Sequence, residues 1–481
     1  MSIEAQSTSV FTLPRLRLTV ASDRAGPGCL PVDHWHGGRH VKYWRAPWNH
    51  SQARWTSFAT FPLVLGSDGA PWAPACLWLI ERARAKPLGI ASLRPVAQDL
   101  AAYKAYLDEV ALEWDDFSAI DKYLRPTYFF RTHLIEQINA RELAPNTAKR
   151  RMSNVVGLYR FLMTDPRLGF APANAPWVDR SVGIRYRDST GFNQVAQVTT
   201  TDVSIKAPRR EDAWDETIDD GAKLRPLSVE EQKALIAALK RLDNLVCNLM
   251  HLVALFSGAR EMTVLTLRVR DFVRPSSEVR QWPYKLRCGP GTGIDTKRDI
   301  TGVYLTMGRE LYEMLHAYAV SEQARRRRSR SQLGEDPFNY LFLTQHGQPY
   351  YESKEDRNVL RDTGMPLRRS ARDGRRLREF IESAVIPEVR KTLPSFQYRF
   401  HDLRATFGMN WVDHATRVDG SEGVEASRSS YLLAREQLRK LMWHKNSRTT
   451  DNYLEYRERV HHIERAQAGW GSHLIGFLQG L

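Results

Sequence analysis

"LMWHKNSRTTDNYLEYR", Leu441 to Arg457, sets His444 and Tyr453 on either side of a polar turn, with threonines and basic residues between them. The simplest account is a loop followed by a helix whose tyrosine packs into the core. A sharper account makes Tyr453 a nucleophile and His444 a group that holds its target. The rest of the chain has to decide between them.

Three more segments upstream carry chemistry. "LFSGAREMTVLTLRVRDF", Leu255 to Phe272, places Arg260 after a glycine-bearing turn, before an apolar period resumes at Val264, Leu265 and Leu267. "GTGIDTKRDITGVYL" reads as a hairpin with Lys297 near its turn. In "FHDLRATFGMNWV", His401 and Arg404 are three apart on an expected helix and share a face. Each alone is a weak signal. An arginine after Ser-Gly-Ala is more often a surface residue, and a histidine three before an arginine occurs by chance in many helices.

Composition narrows the setting. With 481 residues, two or three domains are expected, and 42% hydrophobic residues are enough to bury real cores. Lys and Arg number 70 against 55 Asp and Glu, a formal net charge of +15. Such an excess points to a polyanion, most often nucleic acid; a basic enzyme with no such partner is the alternative. Cys29, Cys76, Cys247 and Cys288 form no paired spacing, which argues against a zinc site or a disulfide framework and fits a reducing compartment. The N-terminus lacks the pattern of a secretory signal, and no run of apolar residues is long enough for a membrane span. A soluble, cytoplasmic protein is expected.

The chain punctuates itself into segments. Residues 1–70 read as an irregular extension of short strands and loops, with His34, His36, His40 and His50 at no metal-binding spacing. Residues 71–170 show helical periodicity, ending in "APNTAKRRMSNVVGLYRFLMTDP" with Asn146 or Thr147 as N-cap candidates. Residues 171–222 turn polar and read as a linker or insert with a strand or two. A new domain, 223–481, opens at "LSVEEQ", where Ser228 and Glu231 make a capping box. The basic run Ala324 to Gln332 reads as an exposed helix end or loop. Gly469 and Gly471 read as a hinge before an apolar tail containing Trp470, Leu474, Ile475, Phe477 and Leu478. The expected class is mainly α with a small β-sheet (α+β).

Taken together and in this order, "SGAR…LTLRVRDF", "HDLRATF" and "WHKNSRTTDNYL" resemble the tyrosine recombinase (phage integrase) family of DNA breaking and joining enzymes, over most of 223–460. The helical segment 71–170 looks like that family's core-binding domain. The resemblance implies that Tyr453 attacks the scissile phosphate, giving a 3′-phosphotyrosyl link and a free 5′-hydroxyl. It implies that Arg260 and Arg404 clamp the non-bridging oxygens, that Lys297 protonates the leaving oxygen, that His401 manages the tyrosine proton and that His444 bonds a phosphate oxygen. It implies double-stranded DNA as partner, a homotetramer on DNA from a free monomer, possible accessory proteins, and neither cofactor nor metal. A telomere resolvase, a type IB topoisomerase or an inactive DNA-binding regulator with the same fold are alternatives. The chain departs from the family's pattern at Trp443, where a glycine is usual, and at Thr263, where an acid is common; Glu261 lies beside Arg260. Lys285 rivals Lys297, and Tyr456 rivals Tyr453 one helical turn on.

Overall fold

The structure, a computed structural model, describes residues 8–479 except 37–38, 166–167, 188–192, 208–216, 298–299, 360–371, 418–427 and 446. Its described residues divide into two compact units, the first within 8–207 and the second within 217–479. The class is α+β as expected, with the described strands forming four two-stranded sheets and one three-stranded sheet.

In the first unit, β1 (Ser9–Arg17) pairs antiparallel with β5 (Ser57–Leu65). Between them, β2 (Ala21–Ser22), β3 (Leu30–His36) and β4 (Arg39–Arg45) form a sheet in the order β2-β4-β3, followed by a short helix α1 (Ala53–Thr56). Four helices follow: α2 (Ala73–Ala85), α3 (Leu93–Glu109), α4 (Pro126–Asn139) and α5 (Pro145–Thr164). Phe58, Phe61 and Val64 of β5 are fully buried in one core with Leu79, Leu100, Tyr103 and Tyr159. Helix α5 starts earlier than Asn146 or Thr147 would place it. Ala144 is the N-cap and Pro145 occupies the first turn, where its missing N–H costs nothing and its fixed φ favours the helix. Gly157 lets α5 pass close to Trp78, since a Cβ there would lie 2.7 Å from the indole. The basic face of α5 is partly committed inward. Buried Asp99 of α3 accepts from Arg150 Nε at 2.8 Å, Arg150 Nη2 at 3.0 Å and Asn154 Nδ2 at 2.7 Å. A hairpin, β6 (Asp179–Arg187) and β7 (Asn193–Thr201), closes the unit's sequence.

The second unit begins within the expected linker. A minimal hairpin, β8 (Ile218–Asp219) and β9 (Lys223–Leu224), precedes α6 (Val229–Leu242). The capping box of α6 is present as read, with Ser228 Oγ accepting from Glu231 N and the Glu231 carboxylate accepting from Ser228 N. Then come α7 (Leu245–Ser257), α8 (Glu261–Leu265), β10 (Tyr284–Cys288), β11 (Val303–Met307), α9 (Arg309–Val320), α10 (Glu322–Ser329) and α11 (Lys354–Val359). Helix α12 (Arg375–Phe380) runs through a π-turn, Ile381–Val385, into α13 (Ile386–Arg390), and α14 (Asp402–Arg417), α15 (Arg428–Leu441) and α16 (Ser447–Gln479) complete the chain. The expected hairpin exists, but its strands are β10 and β11, and Lys297 lies in the long connection between them.

Two expectations about charge and flexibility change. In the basic run, Arg328 is buried, donating to Glu335 at 2.7 Å and to the Ala319 carbonyl at 2.8 Å, while Arg327 and Arg330 donate to the carbonyls of Leu343 and Gln345. Much of that run therefore braces the fold. Helix α16 continues unbroken through Gly469 and Gly471, so they form no hinge. An isolated glycine costs a helix about 1 kcal/mol relative to alanine, too little to end one flanked by good helix formers.

The turn between α15 and α16 explains the departure at Trp443. Trp443 has φ +55°. The Trp443 N–H donates to Lys440 O at 3.2 Å and the His444 N–H to Arg439 O at 3.0 Å. These two bonds are a Schellman C-cap, in which the left-handed residue is usually glycine. Here the half-buried indole offsets the strain by packing against the core and donating from Nε1 to Tyr304 O of β11 at 3.0 Å. Both Trp443→Gly and Trp443→Ala lose that brace, but only glycine relieves the backbone. Thermal or urea unfolding of the full chain should show the glycine variant more stable than the alanine variant by about 1 kcal/mol; equal stabilities would mean that the left-handed cap carries no strain.

Candidate active site

Four segments converge within the second unit. Helix α7 ends because Gly258 adopts φ +64°, which an L side chain resists, and a Cβ there would also strike the Phe407 ring at 2.5 Å. Glycine thus fits the "SGAR" turn twice over, and the chain leaves it with Arg260 as the N-cap of α8. His401 directly precedes α14 and Arg404 lies in that helix's first turn, with Arg404 N donating to His401 O at 3.1 Å. The Schellman cap fixes His444, and α16 carries Tyr453.

These groups meet on a residue that the sequence reading left in the linker. Asp220, at the tip of the β8–β9 hairpin, is buried, and its Oδ2 accepts from Arg404 Nε at 2.6 Å and from Tyr453 Oη at 3.2 Å. His444 Nε2 lies 3.3 Å from the same oxygen, and Arg260 Nη2 donates to Oδ1 at 3.4 Å. Arg404 is fixed on its other nitrogens, Nη1 donating to Gly258 O and Nη2 to Met442 O, both at 2.6 Å. With the Nε2 proton of His444 turned to the carboxylate, Nδ1 accepts from the Thr450 hydroxyl at 2.9 Å. Tyr453 has no exposed surface, and its ring lies where a Cβ on Gly408 would reach to 2.5 Å.

Arg260, Lys297 and His401 line a cavity of about 420 Å³ together with Asp220, Gly221 and Glu261. Lys297 Nζ rests on Gly221, 2.5 Å from where a Cβ would stand, and Gly221 has φ +72°. Lys285 lines a separate groove with His444, Trp443, Arg439 and Lys445, so Lys297 is the lysine beside Arg260 and His401. Thr263 is fully buried and donates to Asp295 O at 2.8 Å, steadying the loop that carries Lys297. Glu261 is the acid next to the histidine, its Oε2 3.8 Å from His401 Nδ1, while Oε1 accepts from Arg378 Nη1 at 2.7 Å. Tyr456 is partly buried against the apolar cluster that contains Tyr453.

The electrostatics follow from burial and from the crowd of cations. Burial alone would raise the pKa of Asp220, but the His444 hydrogen bond and the charges of Arg404 and Arg260 hold it well below the usual carboxylate range. Burial pushes the Tyr453 phenol up, and the Asp220 charge adds to the rise. His401 is lowered to about 4 by burial and by the charges of Arg260, Arg404 and Lys297, so it is neutral near pH 7. Burial raises Glu261 to about 7 against the opposing charge of Arg378. Among the described residues, no group of three or more His, Cys, Asp or Glu is arranged to hold a metal ion, and no helix is long and apolar enough to cross a membrane.

The chain matches no family model and no curated protein. Among solved structures it is similar to the Tn1549 transposon integrase (residues 82–397) in complex with circular intermediate DNA, at 13% identity and a TM-score of 0.43. A tyrosine-to-phenylalanine variant of that integrase with transposon right end DNA gives 14% identity and the same TM-score. In both, the likeness covers 79% of this chain and 94% of the solved one.

The two arginines carry unequal structural weight. Arg404→Ala leaves two carbonyls and a buried carboxylate without their charged donor, and should destabilise the second unit by about 3–5 kcal/mol. Arg260→Ala, whose contact with Asp220 is the longer at 3.4 Å and which leaves Arg404 on the carboxylate, should cost less, about 1–3 kcal/mol. Calorimetry of the two variants checks this; equal losses would show that Arg404 does not organise the site.

Proposed function

We propose that the chain is a site-specific DNA recombinase, the integrase or transposase of a mobile element, acting through a 3′-phosphotyrosyl intermediate. One observation supports this above the rest: two arginines, a histidine and a tyrosine from distant segments all turn their donors to a single buried anion, with a lysine and a neutral histidine along the adjoining cavity. A phosphodiester offers such donors the same kind of partner. As it is attacked, charge grows on its non-bridging oxygens, and fixed guanidinium groups stabilise that growth without reorganising.

Tyr453 Oη is the nucleophile and forms the bond to phosphorus as the bond to the 5′-oxygen breaks. Arg260, Arg404 and His444 hold the non-bridging oxygens. His401 takes the phenolic proton and Lys297 gives one to the leaving oxygen. A phenolate is a good leaving group, so the phosphotyrosyl bond keeps the energy of the broken phosphodiester, and a 5′-hydroxyl reverses the step. The excess of basic residues supports binding to a long duplex, and the assembly on DNA is a tetramer formed from monomers.

Incubation with randomly nicked genomic DNA of the source organism, which on this reading carries the element's ends, should give an SDS-resistant adduct, and Tyr453→Phe should abolish it while DNA binding stays within about threefold of the parent. Cations of the chain supply the charge, so the adduct should form equally well in EDTA. An adduct that persists in the phenylalanine variant, or one that needs Mg²⁺, would sink this mechanism.

A further inference from the structure

The carboxylate at the centre of the site has no part in the chemistry just described. Asp220 is an anion placed where the donors for an anionic substrate converge. Its two oxygens engage Arg404, Arg260, His444 and Tyr453. Arg404 is almost wholly buried and Tyr453 wholly so, so a DNA phosphate reaches neither while this arrangement holds. A second anion cannot simply join the first, because like charges repel strongly in a pocket shielded from water. Nor is Asp220 suited to serve as the general base. The cations that grip it make it a very weak one.

The element that carries Asp220 is built lightly. Strands β8 and β9 are two residues each, with the register Ile218 to Leu224 and Asp219 to Lys223. The turn closes through Asp220 N donating to Ala222 O at 3.1 Å, and Gly221 sits at its tip with φ +72°. Ile218 and Leu224 are buried and anchor the hairpin's base in the cluster around Tyr453. The tip is held by the charged contacts of Asp220, by Lys297 against Gly221, and by Asn452 Nδ2 donating to Asp219 O at 2.8 Å, while Arg399 Nη2 donates to Lys223 O at 2.6 Å nearer the base. A competing anion weakens the first of these directly.

We propose that Asp220 is a pseudosubstrate: its carboxylate occupies the place of the scissile phosphate, and the 220–222 turn must swing out from its β8–β9 base before Tyr453 can react. The proposal rests on the recombinase reading for the identity of the phosphate. Its occupancy test does not need catalysis. The turn is then a gate that keeps a nucleophilic tyrosine silent away from DNA, and the substrate itself opens it.

The test is isothermal titration of the full chain with inorganic phosphate, for the parent, Asp220→Ala and the near-isosteric Asp220→Asn. Both variants should bind phosphate at least tenfold tighter than the parent, and adding Arg260→Ala should remove the gain. If Asp220→Ala is poorly folded because its cations lose their counter-charge, phosphate should raise its melting temperature and leave the parent's unchanged, which supports the gate by a separate readout. On the same nicked genomic DNA, Asp220→Asn should form the Tyr453-dependent adduct about tenfold faster than the parent. A folded Asp220→Asn protein with parental phosphate affinity overturns the gate. A phosphate gain with no adduct from any variant keeps the gate and removes the recombinase reading. A Tyr453-dependent adduct without a phosphate gain does the reverse.

Discussion

The buried contact between Arg404 and Asp220 organises the second unit's functional face. One guanidinium binds the Gly258 carbonyl at the end of α7, the Met442 carbonyl at the end of α15 and the Asp220 carboxylate on the β8–β9 tip. Three elements far apart in sequence therefore share a single charged pin. Lysine could not replace it, because the geometry needs a planar fork donating in several directions from one fixed plane. An arginine buried this deeply is stable only with such a complete set of acceptors.

The parts of the site that were legible in the sequence are those with a local physical cause. Gly258 must be left-handed and must clear Phe407, so the "SGAR" turn announces itself. Ser228 and Glu231 cap α6 by a rule that spans four residues. His401 and Arg404 lie within one turn of chain, and His444 and Tyr453 flank a C-cap. Asp220 had no such local cause. It stands in a polar stretch, and its meaning comes from partners 40, 184, 224 and 233 positions away. The signal that could have found it is the buried pair Ile218 and Leu224 flanking Asp-Gly, a hairpin pattern inside what otherwise reads as linker.

Charge was legible in total and not in deployment. The net excess of +15 suggests broad basic faces. Yet Arg150 pairs with Asp99, Arg328 pairs with Glu335, and Arg268 is buried donating to Gly293 O, Phe338 O and Ser353. Sequence periodicity cannot separate these from exposed cations, because a long basic side chain can reach inward from a position that looks like a helix surface. Trp443 is the reverse case. It looked out of place in the sequence, and the structure gives it a left-handed cap held by an indole hydrogen bond.

Helix α16 then ties Tyr453 to the turn that carries Asp220. Asn452 and Tyr453 are consecutive, one holding the Asp219 carbonyl and the other the Asp220 carboxylate. Both contacts grip adjacent residues of one hairpin, so withdrawing the hairpin breaks the two together. The helix is continuous for 33 residues, so its first turn is stiffly joined to a distal end where Trp470 and Ile475 are exposed. Freeing the tyrosine and withdrawing the hairpin are in this geometry one event, governed by whichever anion holds the Arg404 fork. The separation of the acid from its partners in sequence, which hid it from pattern reading, is also what lets it leave. A group built into α7, α14 or α16 could not be withdrawn without unfolding the elements that make the site.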